Sequence, residues 1–151
     1  MEETGRFESD RGTYILLLEL GKTQKIKPGR LGQAAYEKGT YAYVGRASIG
    51  LKARIRRHIR SEKKLFWHID YLLQKAKLKE IWIREDFFDE CGTASKLRHS
   101  LPLPSFVHKG FGSSDCRCRG HLLHISYPGR GLPPILRKMK FQKVTFNGNK
   151  L

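Results

Sequence analysis

A chain of 151 residues with 39 % hydrophobic side chains has the material for one domain with an ordinary core. Thirty lysines and arginines against fourteen acidic residues leave a formal charge of +16, far beyond what solubility requires, and point to a polyanionic partner. A membrane surface ranks only third as a partner and none is expected, because no stretch approaches the roughly 20 apolar residues of a transmembrane helix and no long apolar amphipathic segment accompanies the charge.

Residues 1–11, with the acidic start MEETGRFESD, are unlike a signal peptide and are expected to be flexible. Gly12–Leu20, GTYILLLEL, is a nearly unbroken apolar run and predicts a central strand covered on both faces. Gly21 and Lys22 suggest a turn, Lys25–Lys27 a brief second strand before Pro28 and Gly29, and Leu31–Lys38 either a helical turn or a loop. Thr40–Gly45 returns as a strand, antiparallel to the first because no long crossover helix intervenes.

From Leu51 the spacing of Leu51, Ile55 and Ile59 marks a helix to about Arg60 whose other faces are basic. Between Arg46 and Lys64 eight lysines or arginines stand against one glutamate. Like charges at that density are costly unless an anion lies nearby. Arg46, Lys52, Arg56, Arg57 and Arg60 are therefore the candidate nucleic-acid-binding residues, with DNA the first partner to consider and RNA the second.

A second helix is expected after Ser61 as its N-cap, with Leu65, His68, Ile69, Leu72, Leu73 and Ala76 as its stripe and Trp67 and Tyr71 beside it. Leu78–Arg84 alternates like a strand, and Asp89–Arg98 reads as a short helix. Two prolines make Ser100–Pro104 irregular. Lys109–Cys118 is a Gly/Ser-rich loop, His121–Ser126 reads as the final strand, and residues 128–151 as a basic arm outside the core. The whole predicts an α+β domain over residues 12–127, a small, mainly antiparallel sheet of about three core strands flanked by helices.

Several groups could carry chemistry. Arg54 and His58 stack one turn apart at the edge of the helix's apolar stripe, where a planar cation and a titratable imidazole can reach a cleft. Cys116, Cys118, His121 and His124 offer four zinc ligands within nine residues, but C-x-C is tighter than the usual C-x₂₋₄-C and the histidines alternate faces if the segment is a strand. With Cys91 these are the only cysteines; three make no disulfide framework, and a reducing, cytoplasmic setting is expected. Five of the fourteen acidic residues cluster between Glu80 and Glu90, which suggests charge neutralisation or a cation site.

GTY at Gly12–Tyr14, YVG at Tyr43–Gly45 and the helix bearing Arg54 and His58 resemble the GIY-YIG nuclease family over roughly Gly12–Arg98. The EC at Glu90 and the later GFGSSDCRCRGHL resemble a small branch of that family and extend the match to about Ser126. The resemblance implies a small antiparallel sheet, usually three-stranded, flanked by helices, and cleavage of DNA phosphodiester bonds with one divalent ion, Mg²⁺ or Mn²⁺. Carried over by position, it implies catalytic roles for Tyr14, Tyr43, Arg54, His58 and Glu90, with Glu90 also the metal ligand and Arg46 where many members have lysine. Glu85, Asp86 and Asp89 lie close enough to leave the ligand open.

Tyr14 and Tyr43 are twenty-nine positions apart, more than the family usually has, so an insertion must be accommodated. The family's asparagine after the glutamate has no counterpart, since the only asparagines are Asn147 and Asn149. Two functions follow: a metal-dependent endonuclease, or a DNA- or RNA-binding module with the same fold and basic face that lost cleavage. For the enzyme, the tyrosines, Arg54 and Glu90 are expected to share one cleft with His58 at its rim. Tyr14 or Tyr43 could take a proton from water if the metal and cationic neighbours lower its phenol from the ordinary pKa of about 10.

Overall fold

Gly12–Leu20 forms the middle of the sheet. In the computed structural model, which describes residues 8–100, 105–106, 108–112, 120–125 and 132–146, this stretch is strand β1 and only Glu19 in it is exposed. A strand that is apolar at odd and even positions alike needs cover on both faces. Strands β4 (Gly39–Ala47) and β5 (Lys77–Glu85) flank it, both antiparallel to it, so that Tyr14 lies opposite Gly45 on one side and Ile83 on the other. A register shift between Leu17 and Leu18 bends the β1–β5 pairing.

Two cores result, one on each face. Tyr14, Leu16 and Leu18 point toward helices α1 (Leu51–Ile59) and α2 (His68–Leu73), which contribute Leu51, Ile55, Ile69 and Leu72. Ile15 and Leu17, with Val44 and Trp82, meet α3 (Glu90–Ser100) and α4 (Leu132–Lys138) through Ala94, Leu97, Leu132 and Leu136. Each fully buried Leu or Ile here contributes roughly 1.5–3 kcal/mol, which is what holds helices on both sides of one sheet.

The α+β class agrees with the sequence reading, but the sheet is larger. Beyond the three central strands come β6 (Ser105–Phe106) and β7 (Leu122–Ile125) on the β4 side and β8 (Gln142–Val144) on the β5 side, giving six in the order β6-β7-β4-β1-β5-β8. β7 is not the last strand. The segment read as a basic arm instead carries α4 and β8, because Leu132, Leu136, Phe141 and Val144 supply an apolar face that the cores bury. The prolines of α4 stand in its first turn, where a missing N–H costs nothing.

Three other expectations change. The long interval between Tyr14 and Tyr43 is filled by a hairpin, β2 (Gln24–Ile26) and β3 (Ala34–Tyr36), joined through a 3₁₀ turn at Gly29–Leu31. It forms a separate two-stranded sheet, so the insertion leaves the β1–β4 pairing intact. Helix α2 starts at His68, not after Ser61, because the buried Asp70 carboxylate takes the N–H groups of Phe66 and Trp67 and fixes the helix start there. The N-terminal residues are tied down from Glu8 onward: Asp10 accepts from Lys52 N at 2.8 Å through its carboxylate and from Leu51 N at 2.9 Å through its carbonyl. Gly50, the residue before α1, has no side chain with which to cap it. Among the described residues no helix is long and apolar enough to cross a membrane.

Candidate functional site

β4 and β5 run in the same direction on either side of β1, so both leave the sheet where Gly12 enters it, opposite Ala47 and Glu85. The helices that follow them, α1 and α3, therefore begin at the same end. This topology carries Arg54 and Glu90 to the first residues of β1. There they line a cleft of about 680 Å³ together with Tyr14, Tyr43 and Arg46.

Tyr14 crosses its neighbouring strand at a glycine. A Cβ on Gly45 would stand 2.4 Å from Tyr14 Cζ, so the third residue of YVG must be glycine for the phenol to lie there. Its hydroxyl is 2.7 Å from His58 Nε2, and the Arg54 guanidinium acts on it electrostatically. Burial, then the nearby Tyr43, raises the Tyr14 phenol well above its ordinary pKa, so it is the donor in the pair with His58. Burial, then Lys63, lowers the imidazole to about 3, so His58 is neutral and its Nε2 accepts. Its Nδ1 is buried with no hydrogen-bond partner among the described residues.

One expectation is corrected by this arrangement. His58 is not at the rim; it is 2 % exposed, behind Tyr14, because α1 turns Leu51, Ile55 and His58 together into the core. Arg54 alone does not lower the phenols: it pulls both tyrosines down, but burial outweighs it and raises Tyr43 as well as Tyr14.

Arg54 is held in place by its neighbours. Its Nη1 donates to the Arg46 carbonyl at 2.6 Å, and its guanidinium lies 4.8 Å from the centre of the Trp67 ring. Arg57 also packs on Trp67, at 4.4 Å, and grips Asp70 with both terminal nitrogens at 2.7 and 2.8 Å. Arg57 is thus a structural cation rather than a free nucleic-acid contact: it neutralises a carboxylate that is fully buried. Arg56 and Arg60 remain exposed at α1 and its end, and Lys52 is half-buried on the first turn.

The neighbouring carboxylates hold different partners. Glu85 accepts from the backbone of Glu8 and Ser9, and Asp86 pairs with Arg11. Asp89 caps α3, taking Gly92 N at 2.8 Å. Glu90, the next residue, enters the cleft. Thr13 anchors the turn before it, donating to Phe87 O at 2.6 Å, so one end of β1 positions both Tyr14 and Glu90. Glu90 lies 3.5 Å from Arg46 Nε and 3.6 Å from His121 Nδ1.

Among the described residues no group of three or more His, Cys, Asp or Glu side chains could cage a metal ion. A single carboxylate at the wall of an open cleft fits a hard divalent ion that keeps several waters, as Mg²⁺ does. The four residues weighed as zinc ligands, against which their spacing already spoke, fare differently. Cys116 and Cys118 lie outside the described residues, while His121 turns to Glu90 and to Cys91 (Sγ···Nε2 3.4 Å) and His124 packs on Tyr41, ring centres 4.9 Å apart. The two histidines serve different neighbourhoods, as alternation along a strand requires.

Sequence reasoning missed part of the lining. Ser48, Ile49, Phe66, Trp67, His68, Gly112 and His121 also face the cleft. One signal was available, the adjacent aromatics of KKLFWH at the end of the most basic segment. Asp70 carried none, since its role depends on Arg57 from another helix.

A family model described as a domain of unknown function, DUF123, matches residues 13–139. No curated protein and no solved structure is similar enough to be matched.

Proposed function

The chain belongs to the DUF123 family, a domain of unknown function, and from its cleft we propose a divalent-metal-dependent endonuclease that hydrolyses the phosphodiester backbone of DNA. The observation that carries this reading is the meeting of Tyr14, Tyr43, Arg46, Arg54 and Glu90 in one cleft, in a chain of charge +16. The resemblance of the same residues to the GIY-YIG nucleases supports it independently.

A phosphodiester gains negative charge as water attacks. Arg54 meets that charge with a guanidinium already oriented by Trp67 and the Arg46 carbonyl, so little reorganisation is needed. Arg46 supplies a second cation beside Glu90. A Mg²⁺ or Mn²⁺ ion held by Glu90 would add positive charge at the phosphate and make a water more acidic. The water's proton passes to the Tyr14 oxygen as the phenol's own proton moves to His58 Nε2, and the P–O bond in line with the entering water breaks, its leaving oxygen taking a proton from solvent. The buried imidazolium so formed is disfavoured, with His58 at about 3, until the phosphate brings negative charge into the cleft.

A cleavage screen with Mg²⁺ and Mn²⁺ on duplex, nicked, branched and single-stranded DNA tests the proposal. Arg54→Ala and Tyr14→Phe should each slow cleavage by about 10²–10⁴-fold while changing DNA affinity little. Glu90→Gln should abolish the divalent-ion-dependent cleavage. DNA binding without cleavage under every metal and substrate would overturn the enzyme in favour of a binding module.

A further inference from the structure

Ile49, Phe66 and Phe88 are the exposed large apolar side chains among the described residues, and the two most exposed line the cleft: Ile49 at 86 % and Phe66 at 75 %. They come from separate segments, Ile49 from the turn between β4 and α1, Phe66 from the stretch between α1 and α2. Phe66 stands on a rigid mount. Its N–H is bound by Asp70 at 2.9 Å, and its ring meets Trp67 edge-on with centres 5.9 Å apart. Trp67 is in turn packed by Arg54 and Arg57.

Apolar side chains displayed at a charged cleft are unfavourable in water and do nothing for a phosphate, which needs cations. An exposed ring beside guanidinium donors suits a nucleobase, which is flat, aromatic and tethered to a phosphate by one sugar. In a continuous duplex the bases are stacked on each other and present no free face. A base in a single strand, bulge or flap does present one, and stacking on an aromatic side chain tolerates any sequence. An aliphatic residue nearby is the type used as a wedge against an unstacked step.

Resting on the phosphodiester reading of this cleft, we propose that Phe66 stacks on an unstacked nucleobase next to the bound phosphate, with Ile49 wedged against it. The cleft then selects DNA with unpaired nucleotides over continuous duplex.

Binding in metal-free buffer tests this without cleavage. Three labelled DNAs of matched sequence are compared by fluorescence anisotropy: a continuous duplex, the same duplex with a one-nucleotide bulge, and the single strand. The protein should favour the bulged and single-stranded forms. Phe66→Ala should cost those two about tenfold or more in affinity and leave the duplex within about twofold, while Phe66→Trp restores binding. A 5-iodouracil at the unpaired position should photo-cross-link within residues 65–75 in the native protein and lose that product in Phe66→Ala. An equal loss on all three DNAs, no loss on any, or a preference for duplex overturns the proposal. Binding to none of the three overturns the phosphodiester reading with it, whereas equal binding to all three with cleavage intact overturns this selection alone.

Discussion

Tyr14 and His58 share one hydrogen bond, and burial drives both toward their neutral forms, the phenol upward and the imidazole down to about 3. For His58 this couples folding to pH. The unfolded chain takes up that proton near pH 6.5, the folded one only near 3, so between those values the unfolded state binds more protons. Stability is therefore full above about pH 7.5 and falls as the pH drops through 6.5, by up to about 1.4 kcal/mol per unit. Lys63, Arg57 and Arg54 act in the same direction as burial, and Asp70 opposes them. His58→Asn keeps an acceptor for Tyr14 but cannot titrate. In urea titrations at pH 7 and pH 5, the native protein should lose about 2 kcal/mol more than this variant between the two; an unchanged difference would show that His58 is not the titrating group. Asp70 depends on charge pairing. Burial pushes its carboxyl up, but hydrogen bonds from Arg57, Phe66 and Trp67 together hold it below its ordinary value. Asp70→Asn leaves the Arg57 guanidinium without its counter-ion and should cost about 3–5 kcal/mol at pH 7, measured by the same titrations.

At the scale of elements, β1, β4 and α1 were legible because their apolar spacing reflects local geometry: a continuous run for a strand covered on both faces, and a four-residue interval for a helix with one buried side. The convergence of Tyr14, Tyr43, Arg54 and Glu90 was legible for a related reason: the tyrosines lie on adjacent strands, β1 and β4, while α1 and α3, which carry Arg54 and Glu90, both follow strands that leave the sheet at the same end. What stayed hidden depends on partners distant in sequence. Nothing local in the 61–67 stretch announces that Asp70 will start α2 late, and nothing near His121 announces Glu90 and Cys91. Positive charge and the PGRGLPP punctuation concealed the last helix, although Leu132 and Leu136 repeat at helical spacing. The consequence is measurable. Leu136 is fully buried, and Leu136→Ala should destabilise the protein by about 2–5 kcal/mol. Deleting residues 131–151 should expose the α3-side core and abolish cooperative thermal unfolding, whereas removal of a true arm would leave the melting temperature unchanged.

For the whole molecule, a charge of +16 makes association with DNA a matter of counterion release, but it does not say which cations take part. The fold divides them. Arg57 is committed to Asp70, and Arg54 to the Arg46 carbonyl and Trp67, so these two belong to the architecture of the cleft as well as to its charge. Arg56 and Arg60 are exposed and adjoin the same helix, so they can meet phosphates beyond the cleft without disturbing its wall. Replacing Arg56 and Arg60 by glutamine should therefore weaken binding on every DNA form about equally. It should also reduce the slope of log affinity against log salt by roughly 1.5, as expected for two phosphate contacts at about 0.7–0.9 each. Adding Arg57→Gln should bring a second, different effect, a loss of folding stability that urea titration reads without DNA. If the Arg56 and Arg60 double variant leaves the salt slope unchanged, the backbone does not run along α1. The cations that carry it must then lie elsewhere on the surface, and the cleft would be entered from another side.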